Sequence, residues 1–203
     1  KRNWNSLSEN TELKWYFWIT IFFCVLVSLL LQHESIGESL WDSVRMGSFQ
    51  VISILTTTGF FSSDYQLWSH TVQMQLIAVC LIGACAGSTT SGIKIVHYAI
   101  MWKYVILNIK KIFFDHHAVS PIRLNHKSVE PYAVNMTLCF FTANMFLIFI
   151  VACILVLLDR LDFHSSISMV IATLMNIGPG FGLSGPTANY SHLSDSVKWL
   201  LAF

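Results

Sequence analysis

Residues 134–158 read VNMTLCFFTANMFLIFIVACILVLL, an apolar run without a single charge. Crossing the hydrocarbon core of a bilayer, roughly 30 Å, takes about 20 such residues in a helix. This run therefore predicts a membrane-spanning helix. Residues 15–31 (WYFWITIFFCVLVSLLL) nearly match it and also lack charge. Composition agrees: 11% of the 203 residues are charged and 54% hydrophobic, where soluble domains carry roughly 25% charged residues. A net charge of +1 offers no basic face for nucleic acid. Cys24, Cys80, Cys85, Cys139 and Cys153 all lie in apolar stretches and form no C-x-x-C, which predicts buried small hydrophobes rather than a disulfide or metal framework. The polar start KRNWNSLSENTELK meets the first apolar run without a small-residue cleavage site, so no signal peptide is read. The chain starts without Met and stops at Phe203 inside a further apolar run, the pattern expected of a piece of a larger protein.

Residues 75–83 and 93–114 are also apolar, and ACAGSTTSG separates them. That insert is too short to leave the membrane and return, so one long helix broken at mid-membrane is predicted. Two shorter segments, 39–55 and 165–175, are mildly amphipathic and open on capping residues, Ser39 or Asp42 and Ser165. Helices of that length are buried or re-entrant rather than spanning. Each runs into a special loop, TTTGF at 56–60 and NIGPGFG at 176–182. A pattern thus recurs: spanning helix, short helix, glycine loop, second helix. Trp15 precedes Gly59 by as many residues as Val134 precedes Gly178. A last helix begins near Asp195. Lys1, Arg2 and Lys14 at the start, and Lys103, Lys110, Lys111, Arg123 and Lys127 in the central connection, outnumber the basic residues beside the short helices. The positive-inside rule then makes segments 1–14 and 102–131 cytoplasmic, with the short helices dipping in from outside.

Two nucleotide-like motifs are weak in this setting. GFGLSG (Gly180 to Gly185) has the G-x-G-x-x-G spacing, but that fingerprint needs a preceding strand. GSTTSGIK (Gly87 to Lys94) misplaces the lysine of a phosphate loop, and the S-x-x-K within it lacks its companion motifs. Irregular backbone at membrane depth has a different logic. Unsatisfied amides and carbonyls cost several kcal/mol each in lipid, so such segments survive only buried in protein or lining a wet path. Three of them, two preceded by short helices from one side, match a cation filter built of backbone carbonyls. Threonine hydroxyls can add ligands or brace the loop, and the helix C-termini favour a monovalent cation without a buried carboxylate. Close helix packing through glycine is the bland alternative. Lys94 is either an intramembrane functional charge or a residue reaching the inner interface; both readings stand. His116–His117 reads as a solvated pair, and the tyrosines and methionines as packing.

TTTGF after an Asp-containing short helix, AGSTTSGIK in a broken helix and NIGPGFG together resemble the third and fourth pore repeats of the Trk/Ktr/HKT superfamily of potassium transporters, with the Trk-type membrane subunit nearest. The resemblance covers essentially the whole chain. It implies an all-α membrane protein of helix–pore helix–filter–helix repeats, two of four present, with a potassium-channel-like pore. The third repeat would span 15–101 (filter 56–60, broken helix 71–101 with an intramembrane loop at 83–94). The fourth would span 132–203 (filter 176–182, truncated helix from 195). Carried over by position, the potassium filter comprises Thr57, Thr58, Gly59 and Phe60 with Asn176, Ile177, Gly178 and Pro179. Carbonyls of Thr57, Thr58, Asn176 and Ile177 are the ligands. The gate comprises Gly83, Gly87, Ser88, Thr89, Thr90, Gly92 and Lys94; Thr90 and Ser91 stand where the family favours smaller residues. The resemblance further implies potassium uptake across a bacterial inner membrane, K⁺ as substrate without an organic cofactor, a homodimer, and a cytosolic nucleotide-binding regulatory subunit docking on the basic connection. A Na⁺/K⁺ symporter and a tetrameric potassium channel remain as alternatives within transport. A membrane enzyme would need convergent acid, base or metal residues that the sequence does not supply.

Overall fold

The structure, a computed structural model, describes residues 10–88, 90, 92–113, 122–124 and 127–202. Lys1, Arg2, Thr89, Ser91 and the His116–His117 pair lie outside the described residues. Seven helices follow in order: α1 (Thr11–His33), α2 (Leu40–Leu55), α3 (His70–Cys80), α4 (Ile95–Phe113), α5 (Pro131–Asp159), α6 (Phe163–Leu174) and α7 (Asp195–Ala202). Among the described residues the strands are a two-residue antiparallel pair, β1 (Arg123–Leu124) with β2 (Lys127–Ser128), between α4 and α5.

Local chemistry sets the helix starts. Asn10 caps α1, its Oδ1 accepting the Glu12 N–H at 3.0 Å. Ser39 caps α2 by accepting from the Asp42 N–H at 3.2 Å, and its hydroxyl donates to the Asp42 carboxylate at 2.8 Å. Side-chain oxygens of this kind satisfy amides that a helix start leaves unpaired. At α6 the cap is Asp162, whose carboxylate takes the Ser165 N–H at 2.9 Å; the expected cap, Ser165, sits three residues inside. That same N–H holds the Asp162 carboxyl below its ordinary pKa. Pro131 opens α5 at the position where a missing N–H costs nothing.

Among the described residues two helices, α1 and α5, are long and apolar enough to cross a membrane. Their outer faces stay apolar: Trp18, Phe22 and Val25 on α1, Phe146 and Phe149 on α5 are all exposed. Lipid is as apolar as these side chains, so helix association there depends on close approach and internal hydrogen bonds. The α1–α2 pair shows both. A Cβ at Gly47 of α2 would lie 3.0 Å from the Ser28 hydroxyl of α1 and 3.2 Å from its backbone nitrogen. One turn away Ser43 donates to Gln32 at 3.1 Å.

A single apolar cluster joins the two halves. It takes Val27 and Leu31 from α1, Val51 and Leu55 from α2, Leu76 and Val79 from α3, Ala152 and Leu155 from α5, and Met169 and Met175 around α6. A smaller cluster of Ile100, Ile122 and Val134 seats α4 on α5. Because the α1–α2 contact leaves no space for a larger residue, Gly47→Leu is expected to cost about 1–3 kcal/mol. A lowered midpoint of thermal unfolding in detergent would record it; an unchanged midpoint would show that the contact is not tight.

Candidate functional site

The ends of α2 and α6 run into loops that share one hydrogen-bond pattern, residue for residue. In the first, the N–H groups of Thr56, Thr57, Thr58 and Gly59 donate to the carbonyls of Ile52, Ile54, Ser53 and again Ser53. In the second, those of Met175, Asn176, Ile177 and Gly178 donate to Ile171, Thr173, Ala172 and again Ala172. Donors and acceptors correspond at one constant offset, that from Gly59 to Gly178. The backbone signs correspond as well. Thr57 (φ 53°) and Asn176 (φ 54°) are left-handed, and so are Gly59 (φ 74°) and Gly178 (φ 100°). Asparagine accepts such a φ readily, whereas a β-branched threonine there is a strained exception. On either side of it, the Thr56 hydroxyl lies 2.6 Å from the Thr58 hydroxyl and donates to the Ile52 carbonyl at 2.7 Å.

This pattern decides what the loops can bind. Every amide from Thr56 to Gly59, and from Met175 to Gly178, turns back onto the last turn of its own helix. Pro179 has no amide. The Gly180 N–H donates to the Ser184 carbonyl at 2.8 Å, and the Phe181 N–H to the Ser168 hydroxyl. A phosphate cradle needs several free amides converging on an anion, so the G-x-G-x-x-G spacing cannot act as one. Carbonyl oxygen is what the loops have left to present.

The two loops meet. A Cβ at Gly59 would collide with the Ile177 carbonyl oxygen and stand 3.2 Å from Pro179 Cδ. A Cβ at Gly178 would meet nothing within 4 Å. Of the other expected site residues, Thr58 and Asn176 are exposed, Thr57 is half-buried and Ile177 is buried. Phe60 projects outward, 69% exposed, while its carbonyl accepts from the Ser53 hydroxyl at 2.5 Å.

Two tyrosines do more than pack. Asp64 and Asn189 each accept an N–H two residues on, from Gln66 at 3.0 Å and Ser191 at 3.1 Å, and open matching 3₁₀ turns at Tyr65–Leu67 and Tyr190–His192. The tyrosine hydroxyls both reach the second loop. Tyr65 donates to the Gly180 carbonyl at 3.0 Å and Tyr190 to the Gly178 carbonyl at 2.8 Å. Gln66 adds a bond to the Gly182 carbonyl at 2.9 Å, and the Tyr65 ring packs on Phe181 with centroids 5.0 Å apart. The sequence carried a signal for this second repeat, since DYQLWSHTV (64–72) and NYSHLSDSV (189–197) align without gaps.

Between α3 and α4 the chain breaks. Ile82 and Ile93 form a parallel bridge, with the Gly83 N–H on the Ile93 carbonyl at 2.9 Å and the Ile95 N–H on the Ala84 carbonyl at 3.3 Å. Parallel pairing means that the chain leaves the break running in its original direction, as an interrupted helix does. Inside it Thr90 accepts from the Ala84 N–H, and Ser88 accepts from the Thr90 N–H. Gly87 sits in the turn, with open space where a Cβ would stand. Gly92 is left-handed, and a Cβ there would strike the Met175 side chain at the end of α6. Lys94 lies at the end of the break. It folds back and donates to the Ala86 and Ser88 carbonyls, both at 3.0 Å. Ala86 also donates its N–H to the Glu12 carboxylate of α1. One residue of the break is thus held by an anion at its N–H and a cation at its carbonyl. Hydrogen bonds to charged groups contribute about 1.5–3 kcal/mol each. Lys94→Met is therefore expected to speed hydrogen exchange at the Ser88 amide at least tenfold, read by exchange mass spectrometry; an unchanged rate would show that the lysine does not hold the break.

Residues 14–203 match the family model described as TrkH, cation transport protein. The Trk system potassium uptake protein TrkH of Salmonella typhimurium is 28% identical over 193 residues, covering 95% of this chain and 39% of that protein. The Trk system potassium uptake protein TrkI of Halomonas elongata is 28% identical, covering 90% and 37%. The crystal structure of the potassium transporter TrkH from Vibrio parahaemolyticus superposes with a TM-score of 0.86 at 27% identity, covering 96% of this chain and 41% of that one. The chain spans about two fifths of the length of these relatives.

Proposed function

The chain belongs to the TrkH cation transport family, and on that premise we propose that it forms part of the ion path of a potassium-uptake protein. The family is one of transporters, not enzymes. The observation that carries the reading is the pair of matched loops whose amides are all turned inward, leaving carbonyl oxygens as ligands. The names of the relatives, potassium uptake proteins, support K⁺ as the ion.

In this proposal the ion sheds water onto the carbonyls of Thr57, Thr58, Asn176 and Ile177, with Gly59 and Gly178 supplying the left-handed turns. Carbonyl dipoles replace hydration without a fixed negative charge, so the ion is held strongly enough to be selected and weakly enough to leave. The Gly178 carbonyl already accepts from Tyr190, which leaves it outside that set. Below the loops, the break between α3 and α4 acts as the gate, and Gly92 against Met175 links it to the second loop. Lys110 and Lys111 at the end of α4 support a cytoplasmic position for the connection to α5. A homodimer, and a cytosolic nucleotide-binding subunit docked on that connection, complete the proposed assembly.

Gly59→Ala and Gly178→Ala in the full-length protein test the filter. Each puts a Cβ on a left-handed residue, costing about 1–2 kcal/mol; Gly59→Ala also drives it into the Ile177 carbonyl. Both variants are expected to lower K⁺ uptake and K⁺/Na⁺ discrimination in cells dependent on this transporter, Gly59→Ala more strongly. Wild-type uptake and discrimination in both would refute the assignment.

A further inference from the structure

The second loop is anchored by tyrosine hydroxyls and the first is not. Tyr65 and Tyr190 hold equivalent places in the two halves, each opening a 3₁₀ turn behind an Asp or Asn cap. Equivalence would send each hydroxyl to its own loop. Instead Tyr190 reaches the Gly178 carbonyl of its own half, at 2.8 Å, while Tyr65 crosses to the Gly180 carbonyl, at 3.0 Å.

The Gly178–Pro179 peptide that Tyr190 holds has no N–H of its own to fix it. Gly178 has φ 100° and no atom within 4 Å of where a Cβ would stand. The following residue is Pro179, which brings no N–H to the linkage. Glycine rotates freely in this region. It is also the joint between two peptide planes, one bearing the Ile177 carbonyl and the other the Gly178 carbonyl. The first plane is also held by the Gly178 N–H on the Ala172 carbonyl at 3.3 Å; the Tyr190 bond fixes the second, and between them they set the Ile177 carbonyl, the group that lies against Gly59 of the first loop.

We propose that Tyr190 is a positioning residue for ion discrimination: its hydroxyl fixes the Gly178 carbonyl and thereby sets the Ile177 carbonyl against the first loop. The inference rests on the reading of residues 56–60 and 176–179 as an ion filter. Tyr65 has a different role. It is 1% exposed, in ring contact with Phe181 and Trp68, and its bond ends at Gly180, beyond the filter residues. It holds the fold of the loop rather than the angle of a ligand.

The two hydroxyls can be separated experimentally. The full-length wild type, Tyr190→Phe and Tyr65→Phe are reconstituted in liposomes, and K⁺, Rb⁺ and Na⁺ uptake is measured at one fixed membrane potential. Melting midpoints in detergent are taken alongside. Tyr190→Phe is expected to lower the K⁺/Na⁺ uptake ratio about fivefold, the size of one neutral hydrogen bond, with its midpoint near wild type. Tyr65→Phe is expected to lower the midpoint and keep the ratio. A wild-type ratio in Tyr190→Phe overturns the inference alone, as does a ratio that falls equally in both variants or only together with the midpoint. A wild type that carries no K⁺ overturns the functional reading and this inference with it.

Discussion

A backbone amide inside a membrane must find a partner within the protein, and the irregular segments here are shaped by where their amides go. At the ends of α2 and α6 eight consecutive-loop amides, four in each half, fold back onto three carbonyls of the helix behind them. That folding needs a left-handed residue at Thr57 and Asn176 and again at Gly59 and Gly178. Once the amides are committed, the chemistry of the exposed edge is no longer a choice. It is a row of carbonyl dipoles, suited to cations and unsuited to phosphates. The break between α3 and α4 obeys the same rule by other means, through a parallel bridge, two hydroxyl contacts and a lysine that returns to cap two carbonyls.

Much of this was legible in the sequence because it follows from local pattern. Uncharged runs of sufficient length gave α1 and α5. Gly59 and Gly178, at matching distances from their spanning helices, marked the loops that the structure brings into contact. The interrupted helix followed from the size of the insert at 83–92. What could not be read depends on contacts across long separations. Nothing near Lys94 says that its ammonium returns to Ala86 and Ser88, and nothing near Glu12 says that its carboxylate reaches Ala86. Asp162 and Ser165 are both residue types that cap helices, and the choice between them turns on where the chain leaves α5.

The tyrosines mark the point where repetition stops being symmetric. Between the glycine loop and its 3₁₀ turn, the second half carries six more residues than the first (Gly178 to Tyr190 against Gly59 to Tyr65). The additional chain forms the turn Gly182–Ser184, and it brings the second loop within reach of both hydroxyls. With this difference in length the second loop is anchored by both hydroxyls and the first depends on it. The dependent loop lacks a tyrosine anchor, and its Gly59 takes its bearing from the Ile177 carbonyl instead.

The bonds from Tyr65 and Gln66 to the carbonyls of Gly180 and Gly182 also impose an order of events on the growing chain. A ribosome delivers the donors more than a hundred residues before their acceptors. The second loop can therefore take its final bonds only after the turn 65–67 is already in the membrane. The second half arrives with a Gly180 carbonyl that Tyr65 pairs, and a Gly182 carbonyl that Gln66 shares with the Gly185 N–H. The two halves of a repeated pattern are thus a scaffold and its client, and neither can be exchanged for a second copy of the other.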